Sequence, residues 1–342
     1  MGTPEKLTID DVAKYCGCSR ATVSRVMNHD KRVRPETAEA VEAAMEKLGY
    51  HPNSMARALS AGKTNTVAVV VPEKWQEQPY YIKLIDAIED VADSRGYNII
   101  LKRRKYIDSV SELVNRKQVD GVIFRNMEET GKELALYGKM ERMGLPFILI
   151  GKPVSTYPFI KVDNVGGARA VASYLAEEGY KKILFIKGPE LHVDSIDRLA
   201  GLKIGLSEKG FNLDNLFLSD GDYSTESGYH AAKEYFAKNK ADAVFAANDR
   251  MALGVLLYCR ENGIKVPEEL GIVGFDDNFF AEYLTPSLTT VKPPMYEIGI
   301  VAMESLIRMI ENSERPNIRV ILPAELIIRE SCRAGMKPDK KT

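Results

Sequence analysis

The sequence predicts an α/β protein with a small all-α unit at its N-terminus, and three observations predict it. The first fifty residues carry apolar side chains at helical spacing, punctuated by Gly and Pro where helices should stop or start. From Val67 onward, short apolar runs alternate with amphipathic stretches, the pattern of parallel sheets covered by helices on both faces. A chain of 342 residues also exceeds the usual size of one domain, so two or three are expected.

Composition narrows the function. A formal net charge of −1 excludes a protein that is basic throughout, so any surface for nucleic acid must be local. No apolar run is long enough to span a bilayer, and the N-terminus lacks the apolar core of a signal peptide. The four cysteines, Cys16, Cys18, Cys259 and Cys332, show no disulfide framework. Cys16 and Cys18 could form half of a metal site, but the scattered histidines supply no partners. The thiols therefore read as reduced, in the cytoplasm, and neither metal nor cofactor is expected.

In "TIDDVAKYCG", Thr8 is placed as a helix N-cap, with Asp11 as the acidic member of a capping box. Ile9, Val12, Ala13 and Cys16 follow a helical period. Gly17 and Cys18 leave only a tight turn before "SRATVSRVMN", where Ser19 is the next N-cap. Val23, Val26 and Met27 give this second helix an apolar face, while Arg20, Ala21, Ser24 and Arg25 form another. Two cations, a hydroxyl and a methyl suit phosphate, guanine and thymine-methyl contact in a major groove. Taken alone, the stretch reads equally well as a surface helix with solvated arginines. The flanks favour DNA, because helix, short turn and helix is the helix-turn-helix arrangement. A third helix begins at Pro35, buries Ala38, Val41, Met45 and Leu48, and stops at Gly49. Beyond it, "NSMARALS" after capping Asn53 is too short to hold a helix in water by itself. It reads either as a plain linker or as a segment that folds on DNA with Leu59 as a minor-groove wedge.

The remainder predicts strands at "VAVVVP", "YNIILK", "GVIFR", "PFILIG", "KKILFI", "AVFAAN", "GIVGF" and "LTTVK", with helices over 82–95, 165–178, 225–239 and 250–262. "SRGYNIIL" and "EEGYKKILFI" both leave a helix through Gly-Tyr and enter a strand, an internal echo that two similar lobes would explain. Ligands of open α/β sheets bind beyond the carboxyl ends of the strands. Trp75, Tyr80 and Tyr81 follow the first strand; Arg125 and Asn126 follow "GVIF"; Lys152 follows "ILIG". In the second half come Asp194 to Arg198, Tyr223, Asn248 with Asp249, and Asp276 with Asp277. Carboxylates, an amide, an arginine and aromatic faces are what a polyhydroxylated ligand needs. Singly, each has a plain alternative: Asp249 reads as a helix N-cap, Asp277 as a turn cap and Trp75 as loop cover. Arg198 has a rival reading as a salt bridge between lobes to Asp276 or Asp194.

"TIDDVAKYCGCSRATVSRVMN" followed by "YHPNSMARALSAGKT" resembles the headpiece and hinge of the lactose-repressor (LacI/GalR) family of bacterial transcription regulators. "VDNVGGARAVASYL", "DRLAGLKIGL", "AANDRMALGVL" and "VGFDDNFFAEYLTPSLTTVKPP" resemble its regulatory domain, and the likeness runs through Cys332. It implies a helix-turn-helix headpiece over 1–50 and a hinge over 51–63. A periplasmic-binding-protein-like, two-lobed, doubly wound regulatory domain would fill 64–342. The first lobe would take about 64–161 and 292–322, the second about 162–291 and 323–332. By that resemblance Arg20 and Ala21 read bases. Thr22, Ser24, Arg25 and Asn28 match shared phosphate- and base-contacting positions, joined at the interface by Thr8, Ser19, Asn53 and Arg57. Leu59 matches an intercalating hinge leucine. Arg198, Asn248 and Asp276 match the core effector contacts, and Tyr80, Tyr81, Arg125, Tyr223 and Met295 match positions lining the pocket. Gly151 stands where some sugar-binding members have an Asp, while Lys152 and Arg125 add positive charge. The expected effector thus widens from a neutral sugar to an acidic or phosphorylated one.

The resemblance implies a DNA-binding repressor of a carbohydrate-utilisation operon. It would be a homodimer on near-palindromic operator DNA, controlled by a sugar-like effector between the lobes. Its tail, "CRAGMKPDKKT", lacks the leucine heptads of a tetramerising segment. An enzyme is disfavoured: there is no P-loop, no G-x-S-x-G elbow, no H-E-x-x-H, and no dinucleotide fingerprint at "VGG". A transport receptor is opposed by the headpiece and the missing signal peptide. Control by a protein co-regulator or by a non-sugar metabolite stays open.

Overall fold

A computed structural model describes residues 7–27, 30, 32–50, 63–73, 75–77, 79–125, 131–312 and 317–332. The chain divides into two compact units, Met1–Asn65 and Thr66–Thr342. No helix among the described residues is long and apolar enough to cross a membrane.

The first unit is three helices: α1 (Ile9–Cys16), α2 (Arg20–Met27) and α3 (Pro35–Leu48). The Asp11 carboxylate accepts from both the backbone N–H and the hydroxyl of Thr8, which secures the start of α1. Gly17 at φ 66° ends α1 in the left-handed conformation, and the Cys18 N–H closes back onto the Ala13 carbonyl, a Schellman-type stop. Ser19 Oγ accepts from the Thr22 N–H at 3.0 Å, so α2 begins where the sequence places it. Val12, Ala13, Val23, Val26, Val41 and Ala44 make a small dry core, with Ala38, Met45 and Leu48 packed against it.

The second unit holds two six-stranded sheets. The first contains β1 (Thr66–Val71), β2 (Asn98–Arg103), β3 (Gly121–Arg125), β4 (Phe147–Ile150), β5 (Phe159–Val162) and β11 (Arg319–Leu322). The second contains β6 (Ile183–Ile186), β7 (Leu216–Ser219), β8 (Ala243–Ala246), β9 (Gly271–Phe275), β10 (Thr289–Lys292) and β12 (Glu325–Ile327). Their orders are β11-β5-β4-β3-β1-β2 and β12-β10-β9-β8-β6-β7. All neighbours are parallel except β10 and β12, which are antiparallel. The two orders are the same topology written twice, which gives the Gly-Tyr echo its physical content. In each sheet the winding reverses once, between β1 and β3 and between β6 and β8. These are the switch points at which a doubly wound sheet opens a crevice.

Four strands escape the sequence reading: β5, β7, β11 and β12. Three lie at sheet edges, where side chains are only partly covered, and their apolar runs are just two or three residues long, shorter than the near-continuous runs of central parallel strands. β5 is buried but short and carries Lys161 in its middle. The helices over 82–95, 165–178, 225–239 and 250–262 are found as α4 (Tyr80–Ser94), α7 (Asn164–Glu177), α9 (Thr225–Phe236) and α10 (Asp249–Glu261). They are joined by α5 (Ile107–Asn115), α6 (Gly131–Met143), α8 (Val193–Glu208) and α11 (Met295–Asn312). The chain passes between the sheets after β5, after β10 and again after β11. Helix α11 returns to the first sheet, where it shares one core with α4.

The packing that matters most for the site joins α7 and α8. A Cβ built on Gly201 would collide with the Val165 carbonyl oxygen, so only glycine lets α8 lie so close to the first turn of α7. Replacing Gly201 by Ala should destabilise the protein by about 1–3 kcal/mol, the range for overpacking a tight contact. Gly138, in mid-helix α6, is the control: a Cβ there meets only the far end of Arg142. Gly138→Ala should be neutral or stabilising by up to ~1 kcal/mol through helix propensity. Urea unfolding midpoints of the two variants should therefore move in opposite directions, or only the first should move.

Candidate functional site

Two polar surfaces stand out, one in each unit. In the first unit, burial of Val23 and Val26 fixes the rotation of α2, so Arg20, Ala21 and Arg25 face solvent with Ser24 half-covered beside them. Arg20 reaches Asp10 only at 3.8 Å, with both side chains about two-thirds exposed. Such a loose surface pair contributes little and leaves the guanidinium available. Thr22, Arg25, Arg32, Val33, Arg34 and Thr37 line one groove. Arg32 and Arg34 were not selected from sequence, although "RVRP" before a helix start was the signal that held them. Arg32 is tied to Asp30 at 2.7 Å, and its hydrogen bonds hold the Asp30 carboxyl down at about 2. Thr8 and Ser19 cap their helices. Asn28, Asn53, Arg57 and Leu59, like Asn126 of the other unit, lie outside the described residues.

The second surface forms where both switch points face each other. From the first sheet come Tyr80 and Tyr81, stacked with ring centroids 4.5 Å apart at the start of α4. Arg125, the last residue of β3, lies over the Tyr81 ring at 5.4 Å. Lys152, half-buried, follows β4. Gly151 has φ 107°, a backbone conformation that favours glycine. Met295 is buried in the core that also holds Tyr81 and Ile150.

The second sheet contributes Arg198, which is held on every side. Its Nε donates to Asn164 Oδ1 at 2.8 Å, one terminal nitrogen donates to the Ala247 carbonyl, and the other reaches Asp276 Oδ1 at 3.5 Å. The guanidinium carbon lies over the Phe275 ring, 3.6 Å from its centroid, a cation–π placement. Asn164 in turn donates to Asp194 Oδ1 at 3.0 Å. The Arg198–Asp276 bridge lies within one lobe, because both residues, with Asn164, belong to the second sheet and its helices; a bridge between lobes is thus excluded for that pair. Asn248 caps α10 by accepting from the Met251 N–H at 2.9 Å, and its amide donates to the Tyr223 carbonyl at 3.2 Å. The helix cap is thus Asn248, not Asp249. Asp249 is fully buried and instead accepts from the Thr290 hydroxyl and the Asn278 N–H. Asp277, likewise, is committed to Arg329 at 2.7 Å.

Two site residues hold left-handed backbone, Tyr223 at φ 70° and Asp276 at φ 113°. Each costs on the order of 1–3 kcal/mol, and such strain collects at functional sites. Burial raises the Asp276 carboxyl to about 7; Asp194 adds to this, while Arg198 and Arg125 oppose it. Burial also lifts the Tyr80 phenol well above its ordinary range, with Tyr81, Arg125 and Asp276 acting on it. Groups from both sheets therefore share one electrostatic environment. Asn164 is the site residue that sequence reasoning missed. Its signal was a polar pair, Asp163-Asn164, between a strand and the Gly-Gly of a helix start.

Two family models match the chain: "Bacterial regulatory proteins, lacI family" over residues 8–53 and "Periplasmic binding protein-like domain" over residues 172–332. The chain is 34% identical over 335 residues to catabolite control protein A of Priestia megaterium, covering 96% of this chain and 99% of that one. Among solved structures it is similar to the complex of the transcriptional regulator CelR with cellobiose. That match has a TM-score of 0.71 and 30% identity, with 95% of this chain and 99% of that chain covered. The lac repressor dimer bound to operator and the anti-inducer ONPF matches with a TM-score of 0.85 and 26% identity, over 96% of this chain and all of that one.

The raised Asp276 carboxyl makes a signed prediction. A folded-state value near 7 against the ordinary 3.8 means that the native state holds the proton more tightly than the unfolded chain. The resulting stability is fully present below pH ~4 and is lost as pH rises through ~7. Wild type minus Asp276→Asn, read from urea unfolding, should therefore fall between pH 5 and 7.5 and level off above. A difference that stayed flat or grew with pH would show an Asp276 that is ionised throughout.

Proposed function

Because the chain belongs to the lacI family of bacterial regulatory proteins, we propose that it is a transcriptional repressor controlled by a sugar-like effector bound between its two lobes. The single observation that carries this reading is the cluster of Arg198, Asn164 and Asp276 beyond the carboxyl ends of the strands. It faces Tyr80, Tyr81 and Arg125 of the other sheet, in a chain that also carries α2 with its exposed arginines. CelR was solved with cellobiose and the lac repressor dimer with operator. Carried to this chain, those pairings mean operator DNA at the headpiece, a carbohydrate in the cleft, a homodimer on a near-palindrome, and a cytoplasmic setting.

On this reading residues 1–50 form the headpiece, 51–63 the hinge and 64–342 the effector and dimerisation domain. Arg20 and Ala21 read base edges. Thr22, Ser24, Arg25 and Asn28, with the caps Thr8 and Ser19, hold the phosphates. Asn53, Arg57 and Leu59 act at the hinge, Leu59 as a wedge. Arg198, Asn248 and Asp276 grip the effector's hydroxyls, with Tyr80, Tyr81, Tyr223, Arg125, Lys152 and Met295 around them. Effector binding favours one relative orientation of the lobes and so changes the spacing of the hinges.

Base reading by Arg20 predicts that Arg20→Ala relaxes preference at one position of each half-site. The expected loss of discrimination is roughly 1–3 kcal/mol, the range for a bidentate contact to guanine. Anisotropy titrations against operators substituted one base pair at a time check it; a uniform loss on every sequence makes Arg20 a phosphate contact instead. For the cleft, Arg198→Ala leaves Asn164, the Ala247 carbonyl and Asp276 without their donor. The variant should bind operator when ligand-free but lose at least several-fold in effector affinity and no longer respond to it. Calorimetry beside operator titration separates these effects, and unchanged ligand affinity in a folded variant removes Arg198 from the site.

A further inference from the structure

The two arginines of the cleft are not equivalent. Arg198 has all three nitrogens engaged and an aromatic ring beneath it. Arg125 is more deeply buried, at 3% exposure, yet among the described residues its Nε has no hydrogen-bond partner. Its one hydrogen bond among the described residues is a long one, 3.4 Å from Nη1 to the Ile150 carbonyl. Tyr81 and Tyr80, then the carboxylates of Asp194 and Asp276, act on it through space and favour its charged form against the cost of burial; both carboxylates also bond elsewhere, Asp194 to Asn164 and Asp276 to Arg198. Strand β4 pairs with β3 in the register Arg125↔Ile150, which brings the segment carrying Lys152 to the same rim.

A buried guanidinium with an unmet donor is costly unless something supplies an acceptor. A neutral hydroxyl can accept one N–H but leaves the charge uncompensated. A carboxylate or phosphoryl group accepts two N–H bonds in the fork geometry of arginine and cancels the charge as well. We propose that the effector of this chain carries an anionic group, a carboxylate or a phosphate, seated on Arg125 at the end of β3, while its hydroxyls face Arg198, Asn248 and Asp276. This rests on the effector reading above and names the chemical class of the ligand. Arg125 is then the residue that distinguishes an acidic sugar from its neutral parent.

The test is calorimetric titration of the full chain with matched sets: glucose, glucuronate and glucose 6-phosphate; galactose, galacturonate and galactose 6-phosphate; and inorganic phosphate alone. In at least one set an anionic member should bind at least tenfold more tightly than its neutral parent. A uronate winner assigns a carboxylate, and a sugar phosphate winner a phosphoryl group. Arg125→Gln should erase the preference and Arg125→Lys should keep most of it, with cooperative melting showing that each variant is folded. The wild-type arm is decisive even where a variant does not fold. Neutral parents that bind as tightly as their anionic partners overturn the proposal. So does an Arg125→Gln variant that weakens both equally, the result expected if Arg125 only balances the acids of the opposite lobe. Operator affinity is read separately. A neutral sugar that shifts it overturns the anionic group alone, whereas absence of operator binding overturns the regulator reading beneath it.

Discussion

The polar end of the second sheet is organised around the Arg198 guanidinium and its fixed surroundings. A charge buried this deeply would be ruinous without partners, and the fold supplies them from three elements. Asn164 comes from the start of α7, the Ala247 carbonyl from the end of β8, Asp276 from the end of β9, and Phe275 from within that strand. Because α8 carries Arg198 and is pressed onto α7 at Gly201, the hydrogen bonds and the helix packing enforce each other. Moving either element breaks both. The network also explains why Asp276 tolerates a left-handed backbone: its N–H is anchored to the Val291 carbonyl at 2.8 Å while its carboxylate faces the guanidinium.

That rigid half faces one of different character. In the first sheet the residues beyond the switch point are stacked tyrosines and an arginine with little to hold it. Aromatic faces and an unmet donor offer area and charge rather than a closed network; across from them Arg198 has its nitrogens engaged, while the buried Tyr223 hydroxyl has no hydrogen-bond partner among the described residues. The chain crosses between the sheets three times, after β5, β10 and β11. The antiparallel β12 then ties the last crossing to β10.

The headpiece solves a different problem. The chain is nearly neutral overall, so attraction to a polyanion has to come from how charges are arranged rather than from how many there are. Its three-helix core is small, and its task is to fix the rotation of α2, which presents Arg20 and Arg25 while Val23 and Val26 are buried. Arg32 and Arg34 extend the basic surface to the start of α3, where the helix dipole adds positive potential.

What the sequence determined by itself was whatever is local or periodic. The caps at Thr8 and Ser19, the stops at Gly17 and Gly49, the central strands and the long amphipathic helices follow from side-chain spacing and turn chemistry acting over a few residues. Chain order also placed Tyr80, Arg125, Arg198 and Asn248 after strands, where a parallel sheet puts its ligand site. The tertiary structure decided what depends on partners far apart in the chain. Edge strands β7, β11 and β12 acquire their identity only from the neighbour they pair with, since apolar runs of two or three residues are too short to mark a strand by themselves. Asp249 looked like a cap because its offset from a strand end is right, yet it is drawn inside by Thr290 and Asn278, 41 and 29 residues away. Arg198 and Asp276 fell into one lobe rather than two because the sheet that both serve is assembled from segments 78 residues apart. Asn164 joined the site for the same reason: a hydrogen bond to a residue 34 positions later has no periodicity to betray it.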